Sequence, residues 1–134
     1  MRPVLVVLFL FSATFAFAQN KTTQIVIPGV ETGESLLREC PELRPNLSFE
    51  DTVKVNYCLG FVRGVMDYNK LLHFTLKLTL FCAPRELDNT AAYAATRQYI
   101  RDHPERTKMP ASALVAGALS EKYPCSPADA TPHY

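Results

Sequence analysis

The chain contains 134 residues, of which 14 are basic, 13 are acidic and four are cysteines. Without a long basic run, this near-neutral chain lacks the positive charge that neutralises a phosphate backbone, so we do not expect nucleic acid as a partner. The length is that of a single domain with a modest core.

The first 18 residues have the pattern of a secretory signal peptide. Arg2 is followed by an apolar run over residues 4–11, and Ala16 and Ala18 supply small residues before a cleavage point at Gln19. An N-terminal membrane anchor is the alternative, but the run is shorter than the roughly 20 residues that span a bilayer. We therefore expect export to the bacterial periplasm, with no membrane attachment after cleavage.

The next segment, residues 19–33, is predicted to be a flexible leader that packs loosely against the domain. A short helix is predicted over residues 34–40, because Pro41 and Pro45 prevent its continuation.

A long central helix is predicted from Phe49 to about Leu72, after Ser48, whose side chain suits an N-cap. Its apolar residues repeat at helical spacing on two adjoining faces. One face consists of Phe49, Val53, Tyr57, Phe61, Val65, Tyr68 and Leu72, and the other of Val55, Cys58, Leu59, Val62 and Met66. We expect neighbours to surround most of this helix. Gly60 and Gly64, one turn apart, suggest close approach by a neighbouring helix or by a partner.

The segment over residues 73–81 stays ambiguous. Its apolar residues alternate with threonine and lysine, which is typical of a strand, whereas the flanking helical patterns favour an extension of the helix or an irregular hairpin. A third helix is predicted to start after a cap at Asp88 or Asn89 and to end near Asp102.

A last helix is predicted between Pro110, which suits a first helical turn, and Pro124. Residues 126–134 are polar and contain proline, so we expect a disordered tail. Together these elements predict an all-α fold: a small disulfide-bonded bundle of about four helices around one long central helix.

The four cysteines, Cys40, Cys58, Cys82 and Cys125, are expected to form two disulfides, because an even number in a small exported domain is typical of structural bridges. Antiparallel helices with short connections would bring Cys40 to Cys58 at one end and Cys82 to Cys125 at the other. A Cys58–Cys82 bridge is less favoured, since the chain would have to fold back along roughly 20 Å of helix.

No catalytic or cofactor site is expected. The three histidines, His73, His103 and His133, are scattered and match no metal-binding spacing. The sequence contains no nucleophile elbow, phosphate loop or zinc-protease motif, and cysteines in disulfides cannot act as nucleophiles. We therefore expect a protein that is not an enzyme and needs no cofactor or metal.

Four sequence blocks resemble the Rap/Tai family of immunity proteins. Residues 58–67 are similar to its C-x-G-[YF]-[VI]-x-G-x-x-D signature, with Cys58, Gly60, Gly64 and Asp67 at the fixed positions. The Phe-Cys-Ala-Pro at 81–84, the segment at 99–105 that ends in His-Pro-Glu, and the segment at 118–125 that ends in Tyr-Pro-Cys are similar to later blocks of the family in the same order.

This resemblance covers roughly residues 36–125, which is most of the chain after the signal peptide and most of the predicted domain at 34–125. It implies a periplasmic all-α protein, often a homodimer, that protects bacteria from type VI secretion effectors. Those effectors are amidases that cut peptidoglycan peptides, and the immunity protein occupies their catalytic cleft. The chain departs from the family pattern by a longer segment between Asp67 and Cys82.

The connection over residues 103–110 is the candidate partner-binding segment. It is polar, it lies between two prolines, and it carries Glu105, Arg106 and Lys108. The alternative is a solvated turn. For the whole protein, the alternatives to an immunity role are a small disulfide-bonded periplasmic stress chaperone and a structural protein of the envelope.

Overall fold

A computed structural model describes residues 29–126 as four α-helices. They are α1 (Gly33–Glu39), α2 (Phe49–Leu76), α3 (Asn89–Asp102) and α4 (Ala111–Lys122), with a single 3-10 turn at Pro104–Arg106. This part of the chain contains no strand, only an isolated bridge between Thr32 and Pro110. The all-α prediction is confirmed. The predicted signal peptide, the leader up to residue 28 and the tail from residue 127 lie outside the described residues.

The helices begin where short polar side chains cap them. The hydroxyl of Ser48 accepts from the backbone N–H of Asp51 at the start of α2, and the carboxylate of Asp88 accepts from that of Ala91 at the start of α3. Such caps satisfy N–H groups that have no partner within the helix. Pro110 precedes α4 as its N-cap residue.

Residues 30–33, assigned to the leader by the sequence, pack against the domain. Val30 is buried in the core, and Thr32 forms a capping box with Ser35 at the start of α1. The backbone N–H of Ala111 donates to the carbonyl of Glu31 over 2.8 Å. The ordered domain therefore includes Val30, because the segment pairs with the start of α4.

The core lies between one face of α2 and helices α1, α3 and α4. Its largest fully buried side chains are Tyr93, Leu36, Ile100, Leu114, Leu119, Val62 and Val115. Tyr93 also donates a hydrogen bond to the carbonyl of Pro41, which ties α3 to the chain after α1. Buried apolar surface supplies most of the stability of such a bundle.

Two disulfides close the fold with the predicted pairing. Cys40 is bonded to Cys58, and Cys82 is bonded to Cys125. The first joins the end of α1 to α2. The second joins the segment after α2 to the end of α4, where the backbone N–H of Cys82 also donates to the carbonyl of Tyr123.

The ambiguous segment continues α2 by about one turn and then leaves the helix. Lys77 has φ 57° and ends α2 in the left-handed conformation. Beyond it, the amide of Asn69 donates to the carbonyl of Phe81 over 2.9 Å, and its oxygen accepts from the N–H of Leu80 over 2.7 Å. Residues 77–81 are therefore an irregular segment that the Asn69 side chain of α2 holds in place. The alternation of apolar and polar residues within the segment gives no sign of these bonds.

The guanidinium of Arg97 lies buried between α3 and α1. It donates to the carbonyl of Cys40 and forms an ion pair with Glu42 at 3.7 Å. Carbonyls at a helix end have no partner within the helix, and a guanidinium satisfies them well. None of the helices described is both long and apolar enough to cross a bilayer.

Candidate partner-binding surfaces

The connection between α3 and α4 is compact. After Pro104–Arg106, the N–H of Arg106 donates to the carbonyl of His103 over 2.9 Å, and the N–H of Met109 donates to that of Arg106 over 2.8 Å. Two consecutive turns therefore hold the backbone of residues 103–109.

The same connection is fixed to the start of α1. The N–H of Glu34 donates to the carbonyl of Thr107 over 2.8 Å, and the N–H of Gly33 donates to that of Met109 over 3.2 Å. A Cβ at Gly33 would lie 2.4 Å from Cδ1 of Leu114 and 3.1 Å from the Thr107 oxygen. Glycine is required for this close approach, which makes the connection part of the rigid body.

The rings of Tyr99 and His103 pack together and hold the side chain of Arg106 in the connection. The rings of Tyr99 and His103 lie 4.3 Å apart, and the guanidinium of Arg106 lies 5.8 Å from the Tyr99 ring centroid and donates to its hydroxyl. Arg106 is thereby held against the body. Glu105, its ion-pair partner at 3.3 Å, has a side chain 63% exposed, and Lys108 is also exposed.

The structure thus brings together the three predicted residues, Glu105, Arg106 and Lys108, on one short exposed segment of fixed shape. A preformed polar segment loses little conformational entropy on binding, which is what insertion into a partner's cleft requires.

A second surface corrects the sequence-based expectation for α2. The face that begins with Phe49 was expected to be covered, and this holds only in part. Phe49 is 76%, Tyr57 37% and Tyr68 54% exposed, whereas Phe61 and Val65 of the same face pack against the core. The buried face is the other one, with Val55, Cys58, Val62 and Met66. The physical reason is size, because the helices that pack on α2 are α3 and α4, whose 14 and 12 residues cover only one side of a 28-residue helix.

The exposed side of α2 carries a continuous row of apolar residues and glycines, which we call the outer stripe. Its members share one face of the helix at spacings of three or four residues. They are Phe49, Val53, Tyr57, Gly60, Gly64, Tyr68, Leu71 and Phe74. Leu76, Leu78 and Leu80, which follow the stripe, are also exposed.

The spacing of Gly60 and Gly64 suggested close approach by a neighbouring helix or by a partner. The first of these interpretations is wrong, because the two glycines do not contact another helix of this chain. A Cβ at Gly60 or Gly64 would meet nothing within 4 Å. They instead border a groove of about 560 Å³ between α2 and α4. The groove is lined by Gly60, Phe61, Gly64, Val65, Tyr68, Leu80, Ser112, Ala113 and Ala116.

Charged residues flank the stripe on the side away from the groove. Asp67 lies 2.9 Å from Arg63 and 3.0 Å from Lys70. The hydrogen bond from Arg63 lowers the pKa of the Asp67 carboxyl below its ordinary value. An apolar centre with a polar edge is the usual arrangement of a protein–protein interface.

Within residues 29–126, no three His, Cys, Asp or Glu side chains lie close enough to hold a metal ion. His73 is buried at the end of α2, where its Nδ1 lies 3.0 Å from the Thr79 hydroxyl, whereas His103 packs on Tyr99.

Residues 32–125 match the family of Rap1a immunity proteins. No curated protein and no solved structure matches the chain. The matched range includes both disulfides, the connection at 103–110 and the whole of α2.

Proposed function

The chain belongs to the family of Rap1a immunity proteins, and from this premise we propose that it is exported to the periplasm and inhibits a peptidoglycan amidase delivered by a type VI secretion system. The observation that carries the proposal is the family match over 32–125, because it spans nearly the whole described domain. A family of immunity proteins implies a protein effector as partner and a role without catalysis.

The connection at 103–110 is the segment that we propose to enter the amidase cleft. A cleft that binds peptides is blocked best by a segment that keeps its shape when it meets the enzyme. The two backbone turns, the bonds to the start of α1 and the support of Arg106 by Tyr99 supply that shape. Glu105 and Lys108 offer both signs of charge at the exposed surface.

A charge reversal tests this assignment. Lys108→Glu changes an exposed side chain on the connection and should weaken binding to the amidase by about tenfold or more, the order expected for a charge at the centre of an interface. The matched control is Arg85→Glu, an exposed charge before α3, roughly 20 Å from the connection along that helix. Isothermal titration with a peptidoglycan amidase of the type VI effector class measures both. Equal affinities for the two variants would refute the assignment.

A stress chaperone is the second candidate, because the exposed outer stripe is the kind of apolar surface that such a protein offers to unfolded chains. It predicts that a hydrophobic dye binds more strongly as the pH falls toward about 2, where acid loosens packed structure. It also predicts protection of unrelated proteins from aggregation at that pH. Amidase inhibition at neutral pH without such protection would exclude the chaperone role.

A further inference from the structure

The last turn of α2 and the segment after it form an exposed end of the molecule, residues 74–80, which we call the apolar tip. All seven of these residues are exposed. Four of them are large and apolar, and each of the four is between 43% and 65% exposed. They are Phe74, Leu76, Leu78 and Leu80. Such a concentration of exposed apolar side chains marks a surface that binds something.

The apolar tip has a fixed backbone. The N–H of Lys77 donates to the carbonyl of His73 over 3.0 Å, and the N–H of Leu78 donates to the carbonyl of Leu72 over 3.4 Å. The hydroxyl of Thr79 lies 3.0 Å from Nδ1 of His73. An ordered turn therefore displays the apolar side chains, and their burial against another surface costs little backbone entropy.

The apolar side chains of the tip lie on more than one side of it. Phe74 and Leu76 are two positions apart in the helix, so their side chains are about 200° apart around its axis. The chain then turns at Lys77, and Leu78 follows. A partner protein would need a pocket that encloses the whole tip, whereas a fluid lipid surface surrounds a projection from all sides.

The charge around the tip is positive. Residues 68–85 contain no Asp or Glu, and Lys77 lies within the tip itself. Nearer the body, Arg63 and Lys70 both pair with Asp67, so this group keeps one net positive charge. Anionic lipid headgroups attract such cations. A lysine among apolar residues can also place its aliphatic stem along apolar surface and its ammonium at the lipid phosphates.

We propose that the apolar tip inserts into the surface of an anionic lipid bilayer, with Phe74, Leu76 and Leu78 below the headgroups and Lys77 at the lipid phosphates. We expected no membrane attachment after signal cleavage, because no later apolar run is long enough to span. A tip that enters only the bilayer surface needs no such run. The tip lies between Asp67 and Cys82, in the segment by which this chain departs from the family pattern.

The number of apolar side chains sets the expected strength. A few side chains at the headgroup boundary act like a single short acyl chain, whose binding is weak and reversible. We therefore expect half of the protein to be bound at a lipid concentration of about 0.1–1 mM. Each lysine or arginine near an anionic surface should add about fivefold, and salt should reduce that gain.

Co-sedimentation with lipid vesicles tests the proposal without any effector. The disulfide-bonded chain from Gln19 onward is used, because the apolar run at residues 4–11 would bind lipid by itself and no residue of the described fold is lost. This protein should bind vesicles of phosphatidylcholine with about one third phosphatidylglycerol, and it should bind vesicles of phosphatidylcholine alone at least about fivefold more weakly.

Substitutions in the tip locate the contact. Leu76→Ser combined with Leu78→Ser should weaken binding at least about tenfold, since two apolar side chains no longer enter the lipid. The matched control is Leu43→Ser combined with Phe49→Ser, two exposed apolar residues before and at the start of α2, and it should bind as the wild type does. Lys77→Gln should weaken binding to the anionic vesicles about fivefold and leave the neutral vesicles unaffected. Thermal melts followed by circular dichroism verify that all variants fold.

Tryptophan fluorescence reports insertion directly, because the chain contains no tryptophan of its own. The emission of Leu78→Trp should shift to shorter wavelength when anionic vesicles are added, as the indole leaves water. The emission of Phe49→Trp, at the other end of α2, should stay unchanged.

Three results would overturn the proposal: no binding to anionic vesicles at about 1 mM lipid, equal losses in the Leu76 and Leu78 variant and its control, or a Leu78→Trp emission that vesicles do not shift. If the wild type stays off the vesicles and the tip variant instead loses affinity for an amidase, a protein covers the tip. The amidase role can fail while lipid binding holds, and lipid binding can fail while the amidase role holds.

Discussion

Asn69 is the residue through which α2 holds the segment that leads to the second disulfide. The residue is 3% exposed, and its side chain makes two hydrogen bonds to the backbone of that segment, at Leu80 and Phe81. Asn69→Leu keeps the volume but leaves one N–H and one carbonyl without their partner. Each unsatisfied buried group costs about 1–3 kcal/mol. Because Leu80 is 43% exposed, its N–H can recover a water, and we expect a total loss of about 2–4 kcal/mol.

Urea unfolding followed by circular dichroism measures this loss, and hydrogen exchange of the Leu80 amide reports whether the segment opens locally. Asn69→Asp is the informative second variant. At pH 7 its carboxylate accepts from Leu80 but cannot donate to Phe81, so we expect destabilisation. At low pH the protonated acid can donate, so its deficit relative to wild type should shrink. The control is Asn56→Leu, at an exposed position of α2. A change below about 0.5 kcal/mol for Asn69→Leu, the size of an ordinary surface substitution, would refute the reasoning.

Two further predictions concern stability. Replacement of Cys82 and Cys125 by alanine removes the bridge between residues 43 positions apart. In the chain-entropy picture this lowers the free energy of unfolding by about 4 kcal/mol. Urea unfolding measures the loss, and an unchanged midpoint of the transition would contradict the prediction. Burial raises the pKa of the Tyr93 phenol above its value in the unfolded chain, which is about 10. The un-ionised phenol therefore contributes fully to the free energy of unfolding below that pH, and the contribution is lost as the pH rises through the pKa of the folded protein. Ultraviolet titration should show one late-ionising phenol that disappears in Tyr93→Phe, and its persistence in that variant would refute the assignment.

The sequence predicted the elements whose signals are local. Ser48 and Asp88 are capping residues directly before apolar helical patterns, and the structure has both helices starting there. The disulfide pairing followed from helix direction and connection length, because antiparallel neighbours leave few pairs of cysteines at the same end.

What the sequence could not predict depends on which surfaces meet. Periodicity at Phe49, Tyr57 and Tyr68 identifies an apolar face, but it does not say whether the same chain covers that face. The remaining helices are too short to do so, and this becomes visible only once they are placed. The role of Asn69 is equally hidden, since its two bonds are to residues 11 and 12 positions away.

The candidate site was predictable in part. The prolines and charges of residues 103–110 indicate an exposed connection with restricted backbone. Its attachment to α1 through Gly33, and the support of Arg106 by Tyr99, required the structure, because these contacts join distant parts of the chain or depend on side-chain placement.

We proposed that the chain inhibits a peptidoglycan amidase, and a titration of the enzyme with the protein tests this proposal directly. The disulfide-bonded protein is added to a peptidoglycan amidase of the type VI effector class, and the release of cleaved peptide is measured. We expect amidase activity to fall linearly with added protein and to reach near zero at a fixed molar ratio, as a tight complex requires. Full amidase activity in the presence of excess protein would contradict it.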